Sequence, residues 1–333
     1  MPWTTANSIA LELPSMRLRE FSRKRAGRPV LVCAPYALHG ALITDLAPGH
    51  SVVEALQQGG LGRVYVTDWR SAAPEMRYFS IDSYLSDLNV AIDEIGAPVD
   101  LVGLCQGGWL ALVYAGRFPG KVRRLVLAGT PVDISVPSDL SRMVANLPPQ
   151  MLDAWIDRAG GTVSGGRMLH PWSPSYSLHD KEVILQLDEA GGTPQASDVL
   201  ERFNRWNDAP LDLPGAYYRE ATNWIFRENR IAEGQFVALG RKIDLAEVKA
   251  PVFLLAGEND ELVPLQQALA TARLLGTPSS SLVTASEPCG HLSLFIGRKA
   301  LSDSWRRIAE WLAKDDVAGP LDKSRLPQVP GSR

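Results

Sequence analysis

The string Gly103-Leu104-Cys105-Gln106-Gly107 constrains this chain more than any other feature, because it joins a β pattern directly to an α pattern. Upstream, VDLVGL is a continuous apolar run of the kind that forms a strand buried on both faces; downstream, Trp109, Leu112 and Val113 take up helical spacing. A strand that becomes a helix within one residue brings two backbones into close approach. Glycine at 103 and 107 removes the Cβ atoms that would prevent it. The residue at the tip of such a turn is held in a strained conformation with its side chain presented above the sheet. Here it is a cysteine.

Around that junction, strand-like and helix-like segments alternate, which predicts a mostly parallel central sheet with helices on both faces. Val30 to Cys33 reads as one buried strand. Ser51 and Glu54 then stand in capping-box spacing before a helix carrying Val53 and Leu56, which ends at Gly59-Gly60. RVYVTDW is a second strand. Ile81, Tyr84, Leu85, Leu88, Ile92 and Ile95 recur with helical periodicity and stop at Gly96. Past the elbow helix comes strand RRLVLAG, but PVFLLAG resumes the pattern only at Pro251. The chain closes with strand SLVTA and a helix bearing Leu301, Trp305, Ile308 and Leu312 on one face. Near the start, MRLREFSRKR reads as an edge strand with Lys and Arg guarding its rim, ahead of the alternative of a basic patch.

The core is thus assigned to residues 17–130 and 249–313, with an insertion over 131–248. That insertion holds Trp155, Trp172, Trp206, Tyr217, Tyr218, Trp224 and Phe226 and reads as mostly helical: either a lid over the site or a helical subdomain packing its own aromatics. The tail 314–333, with three prolines and few large apolar residues, is expected to be disordered.

A cysteine at a helix N-terminus is favoured as thiolate by the dipole and the free N–H groups. The backbone N–H of Gln106 would face the oxyanion of a tetrahedral intermediate, and a second donor is expected from the loop Tyr36 to Ala41, with His39-Gly40 at its turn. A base and an orienting acid must complete the set. His291 follows strand SLVTA and Asp260 follows PVFLLAG, giving the chain order Cys, Asp, His used by the α/β-hydrolase fold. Glu258, Glu261 and Asp133 compete for the acid role, Asp133 because it follows the strand after the elbow. Of the five histidines, His50, His170 and His179 lack a strand-end position and read as solvated or locally hydrogen-bonded, while His39, beside the oxyanion loop, reads first as a residue that shapes that loop.

Cys33, Cys105 and Cys289 are too few and too scattered for a disulfide framework or a zinc site, so no metal is expected. Cys33 reads as a small buried hydrophobe and Cys289 as a packing residue. With 45 % hydrophobic and 21 % charged residues and a net charge of -3, the composition is that of a soluble globular enzyme and offers nucleic acid no basic surface. No apolar run approaches the roughly 20 residues a membrane span needs. The first residues carry acid and proline where a secretory signal would be basic and then apolar, so a cytoplasmic location is expected.

The stretch LVGLCQGGWLALVYAGRFPGKVRRLVLAGTPVD resembles the lipase-box region of polyhydroxyalkanoate synthases, in which cysteine replaces serine and Gln-Gly-Gly follows. The likeness extends through ITDLAPGHSVVEALQQGGLGRVYVTDW, FSIDSYLSDLNVAIDEIG, NWIFRENRIAEGQFVALGRKIDLAEVKAPVF and LVPLQQA, from about Arg17 to Leu312, and looks most like the short, two-subunit (class III type) synthases. The resemblance implies a Cys-Asp-His triad on Cys105, Asp260 and His291. It also implies acyl transfer from a 3-hydroxyacyl thioester of coenzyme A, as substrate and with no separate cofactor, onto a polyester. The implied partners are a hydroxyacyl-CoA or polyester substrate and a second synthase subunit or further copies of the chain, with activity at a polyester granule. The chain departs from those synthases at His39-Gly40, where they have Asn and a basic residue, at Glu261, where they have His, and at Arg70, where Gly is usual. His39-Gly40 is typical of hydrolytic members of the fold and motivates the rival expectation, a thiol hydrolase such as an intracellular polyester depolymerase or esterase. A non-catalytic binding protein on the same fold is the third reading.

Overall fold

In the computed structural model, which describes residues 2–23, 27–37, 39–169, 176–187 and 193–314, the apolar runs assemble into one eight-stranded sheet. Its strands in chain order are β1 (Ser8–Glu12), β2 (Met16–Glu20), β3 (Pro29–Cys33), β4 (Arg63–Trp69), β5 (Val99–Leu104), β6 (Val122–Ala128), β7 (Val252–Gly257) and β8 (Leu282–Glu287). Their spatial order is β1-β2-β4-β3-β5-β6-β7-β8. From β4 across to β8 the pairings are parallel, and only β2 runs against its neighbours. β3, β5 and β7 are buried along their whole length, as strands covered on both faces must be.

The order decides where a site can form. β3 pairs with β4 on one side and β5 on the other, so the chain leaves β3 in one direction and returns to its opposite flank. The carboxyl ends of β3 and β5 therefore border a crevice at the point where winding reverses. Cys33 and Gly103 are partners in that register, which places Cys105 just beyond the sheet at this crevice.

The helices follow their sequence signals. α1 (Val52–Gln58) is capped by Ser51 Oγ, which accepts from the Glu54 N–H at 2.9 Å. α2 (Ile81–Ile95) buries Ile81, Tyr84, Leu85, Leu88, Ile92 and Ile95 and ends at Gly96 with φ 93°. α3 (Gln106–Arg117), the elbow helix, is buried from Gly107 through Gly116. The closing helix runs through Leu301–Trp305 and Arg306–Ala313 and buries Leu301, Trp305, Ile308 and Leu312.

β2 is not the edge strand that its basic residues predict. It pairs on both sides, with Met16 and Leu18 fully buried, and the rim is β1. Arg19 is held instead by Asp68 of β4 at 2.7 Å, a cross-strand ion pair. Lys24 and Arg25 lie outside the described residues, as do His170, Trp172 and residues 315–333 of the tail.

Between β6 and β7 the insertion is largely helical: Asp139–Asn146, Pro149–Arg158, Gly165–Leu169, Leu178–Leu185, Pro194–Asn207 and Gly215–Glu220, the last continuing into a wider turn at Ala221–Arg227. Its aromatics divide between the two expected uses. Trp224 packs edge-on against Phe236 within the insertion, whereas Trp206 and Tyr217 are buried against the core beside the crevice.

Candidate active site

Cys105 has φ 48° and ψ -120°, outside the comfortable regions for a residue with a Cβ. The turn is pinned from both sides: the Cys105 N–H donates to the Ala128 carbonyl of β6 at 2.9 Å, and the Cys105 carbonyl accepts from the Gly108 N–H at 2.9 Å. The flanking glycines are sterically required. A Cβ on Gly103 would lie 2.4 Å from Gly108 Cα, and one on Gly107 would lie 2.2 Å from the Cys33 carbonyl oxygen. The second glycine of Gln-Gly-Gly has its own cause, since a Cβ on Gly108 would meet Thr130 Oγ1 at 1.9 Å. Gln106 opens α3, so its backbone N–H belongs to the first turn, which has no helical acceptors. Its side-chain carbonyl accepts from Trp109 Nε1 at 3.3 Å.

The three thiols are not equivalent. Cys33 and Cys289 are buried, and burial pushes each up to about 12. Cys105 is half-buried and lies close enough to His291 for its charge to favour the imidazolium.

His291 stands on the loop after β8, and its Nδ1 meets Asp260 Oδ2 at 2.7 Å. Asp260, on the loop after β7, uses its other oxygen to accept from the backbone N–H groups of Leu262 at 3.0 Å and Val263 at 2.8 Å. The carboxylate is thus oriented by its own loop before it orients the imidazole. Burial pulls His291 down, but the charges of Cys105 and Asp260 and the hydrogen bond to Asp260 outweigh it and hold the imidazolium well above its ordinary range. Among the described residues, therefore, a thiol, an imidazole and a carboxylate come together from the ends of β5, β8 and β7, the last two hydrogen-bonded and the thiol beside the imidazole. Such a set can generate a thiolate and return a proton to a leaving group.

The competing acids do not face His291: two are engaged elsewhere and the third is exposed. Asp133 accepts from Ser135, from Asn229 at 3.1 Å and from Arg273 at 2.8 Å; burial would raise its carboxyl, yet these bonds hold it down at about 2. Glu258 accepts from Ser286 Oγ at 2.7 Å, and Glu261 is exposed. His50 is buried rather than solvated, its Nδ1 on the Ile296 carbonyl at 2.7 Å, and His179 is exposed.

His39 and Gly40 are bound to the insertion. The His39 ring stacks on Trp206 with centroids 4.5 Å apart, and its Nε2 lies 3.2 Å from the Asn207 carbonyl. Trp206 Nε1 donates to the Gly40 carbonyl at 3.0 Å. Burial lowers His39, so the ring is neutral and donates to that carbonyl through Nε2. The backbone that closes on the elbow lies before this loop, at the end of β3, where the Cys33 and Ala34 carbonyls leave no room for a Cβ on Gly107.

Beside it lies a cluster that sequence patterning leaves invisible: Tyr36 of this loop, Tyr84 of α2, Trp109 of α3 and Tyr217 of the insertion. Tyr217 stands 5.1 Å from Tyr36, 4.8 Å from Tyr84 and 6.4 Å from Trp109, ring centre to ring centre. The enrichment of the insertion in aromatics is a visible signal, but which one reaches the elbow depends on its path.

Comparison with known proteins agrees with this architecture. The family model described as alpha/beta hydrolase fold matches residues 50–297. The chain is 30 % identical over 303 residues to the poly(3-hydroxyalkanoate) polymerase subunit PhaC of Synechocystis sp., covering 86 % of this chain and 78 % of that protein. It is 27 % identical to the PhaC subunit of Allochromatium vinosum, covering 86 % and 81 %. To the Haloferax mediterranei PhaC subunit it is 24 % identical over 95 % of its own length, and it spans 65 % of that longer relative. Among solved structures, a Paleococcus ferrophilus monoacylglycerol lipase superposes with a TM-score of 0.55 at 18 % identity, covering 89 % of this chain and 98 % of that one. A Bacillus megaterium epoxide hydrolase does so with a TM-score of 0.57 at 12 % identity, covering 88 % and 97 %. These last two carry the fold alone.

Proposed function

Because the chain belongs to the α/β-hydrolase fold family and, within it, to the poly(3-hydroxyalkanoate) polymerase PhaC family, we propose that it transfers 3-hydroxyacyl groups from coenzyme A thioesters to the hydroxyl end of a polyester. The observation that carries this reading is a half-buried cysteine at a strained elbow, beside a buried, hydrogen-bonded His–Asp pair.

Cys105 attacks the thioester carbonyl as thiolate, and the oxygen takes up negative charge facing the Gln106 N–H. The tetrahedral intermediate collapses with cleavage of the bond to the CoA sulfur, which takes the proton held by His291. Entering and leaving sulfurs are of similar leaving ability, so a thiol suits this exchange. The hydroxyl of the acceptor then gives its proton to the neutral imidazole and attacks the acyl-enzyme, and Cys105 leaves as thiolate. Asp260 holds the tautomer and stabilises the imidazolium. The step draws on no further cofactor. Trp206 and Tyr217, packed over the crevice, keep water from the intermediate.

The relatives are named as polymerase subunits, which supports a second subunit or an assembly of copies, as in the class III type. No described helix is long and apolar enough to cross a membrane, and the reading places the enzyme in the cytoplasm at a polyester granule. The motif that motivated hydrolysis, His39-Gly40, bonds to Trp206 and Asn207, so no observation favours water over a hydroxyl as acceptor.

The test is the product from 3-hydroxybutyryl-CoA, assayed with and without a short hydroxyl-terminated primer. CoA release with soluble or insoluble oligoester is expected; CoA release with only free hydroxy acid overturns synthesis in favour of a thiol hydrolase. Cys105→Ala should abolish turnover, and a variant that still turns over refutes the nucleophile.

A further inference from the structure

The three tyrosines beside the elbow do not share their hydrogen bonds evenly. Tyr84 donates to Tyr36 Oη at 2.9 Å, and Tyr36 donates to the Arg70 carbonyl at 3.1 Å. The hydroxyl of Tyr217, fully buried between them, has no hydrogen-bond partner among the described residues. Buried phenols ordinarily find one, and leaving a donor unmatched is costly, so exceptions concentrate where a group serves a ligand. Its position says which ligand. The Tyr217 ring packs on Tyr36, two residues past the Ala34 carbonyl that closes on Gly107, and on Trp109, one turn along α3 from Cys105, whose ring it nearly parallels at 22°. The packing brings the phenol near enough to the elbow for the charge of Cys105 to act on it.

We propose that Tyr217 is a further catalytic residue, a donor carried by the insertion whose hydroxyl hydrogen-bonds the acyl oxygen of the group bonded to Cys105. It adds a side-chain donor to the backbone donors expected of Gln106 and of the loop from Tyr36 to Ala41, whose His39-Gly40 turn is bound through ring and carbonyl to Asn207 and Trp206. The Gln106 N–H comes from the core and the Tyr217 hydroxyl from the insertion, so the oxyanion is fully held only when the two are docked. Burial, then the charges of Tyr36, Cys33 and Cys105, raise the phenol well above its ordinary range, so it keeps its proton and acts as donor at every working pH. The proton stays on Tyr217 throughout; no bond to it breaks.

The inference rests on the acyl-enzyme reading of Cys105 but not on the identity of the acyl donor, and the test separates the two. Three rates are measured for the full chain and for Tyr217→Phe: burst acylation by p-nitrophenyl butyrate, CoA release from 3-hydroxybutyryl-CoA, and alkylation of Cys105 by iodoacetamide, which forms no oxyanion. Acylation should slow about 100- to 1,000-fold, the usual loss for one oxyanion donor, with alkylation unchanged and Tm not lowered, because the phenyl ring keeps the packing and removes an unmatched hydroxyl. Acylation at the parent rate overturns the assignment; so does a parallel fall in alkylation, which would place the phenol on the thiolate instead. A parent that reacts with the nitrophenyl ester but is inert to the CoA thioester overturns the proposed substrate alone and leaves Tyr217 to be judged by the ester.

Discussion

Replacing Asp260 with Asn tests the relay at the point where the structure leaves least freedom. One carboxylate oxygen accepts from two backbone N–H groups, of Leu262 and Val263, and the other faces His291 Nδ1 at 2.7 Å. An asparagine must point its NH2 group at one of these sites. Facing the backbone it would oppose two donors, so its oxygen stays there and the NH2 turns to Nδ1. The imidazole must then accept at Nδ1 and carry its proton on Nε2, which presents a donor to Cys105 where a base is required. The expected loss in kcat is about a thousand- to ten-thousand-fold, or roughly 4 to 5.5 kcal/mol in the barrier at 1.36 kcal/mol per tenfold. Folding should suffer less, about 1–2 kcal/mol, because the loop contacts survive and one charge-assisted bond becomes neutral.

The same substitution has a pH signature. His291 is held well above its ordinary value, so the stability it contributes is fully present below about 6.5, the unfolded value, and is lost as pH rises through the folded one. Asn removes one source of that elevation. The difference in urea midpoint between parent and variant should therefore be widest near and below about pH 6.5 and narrow as pH is raised. Turnover of Asp260→Asn within about tenfold of the parent, or a gap that widens with pH, would refute the reasoning.

Asp133→Asn should leave turnover nearly intact while costing up to about 2 kcal/mol at neutral pH, from a carboxyl held at about 2 against an ordinary 3.8, with part of the Arg273 contribution screened by solvent. Because that value is depressed, the cost is present above pH 3.8 and vanishes as pH falls through about 2, which denaturation at stepped pH would read. His39→Ala removes a stacked ring and one hydrogen bond, so unfolding should ease by roughly 1–3 kcal/mol while kcat stays within about tenfold; a loss of a hundredfold or more would return His39 to the oxyanion. Brief iodoacetamide treatment of the native protein at pH 7.5, followed by peptide mass analysis, should label Cys105 alone, since burial pushes Cys33 and Cys289 up to about 12.

The elbow was legible because its cause is local: two backbones that nearly touch exclude side chains at 103 and 107 whatever surrounds them. Asp260 and His291 were legible at one remove, as the residues that follow the last two parallel strands. β2 was misread for a reason that no amount of local pattern repairs. Met16 and Leu18 alternate with Arg17 and Arg19 as an edge strand would, and interior status is conferred only by β1, a short stretch whose own pattern is weak. His39 takes the loop-shaping role its position favours, but the residue that fixes its turn, Trp206, lies 166 residues beyond Gly40 in the chain and no local pattern names it.

These contacts change what the triad can be asked to explain. A neutral imidazole accepts a proton from water or from an alcohol in the same way, and the acyl-enzyme on Cys105 is electrophilic toward both. Whatever selects the acceptor must act on access and on the acyl oxygen rather than on the base. Both are governed here by the insertion, which shapes the 36–41 loop through His39 and Gly40 and sets Tyr217 against Tyr36 and Trp109. Selection between hydrolysis and chain growth is thus a property of the interface between insertion and core.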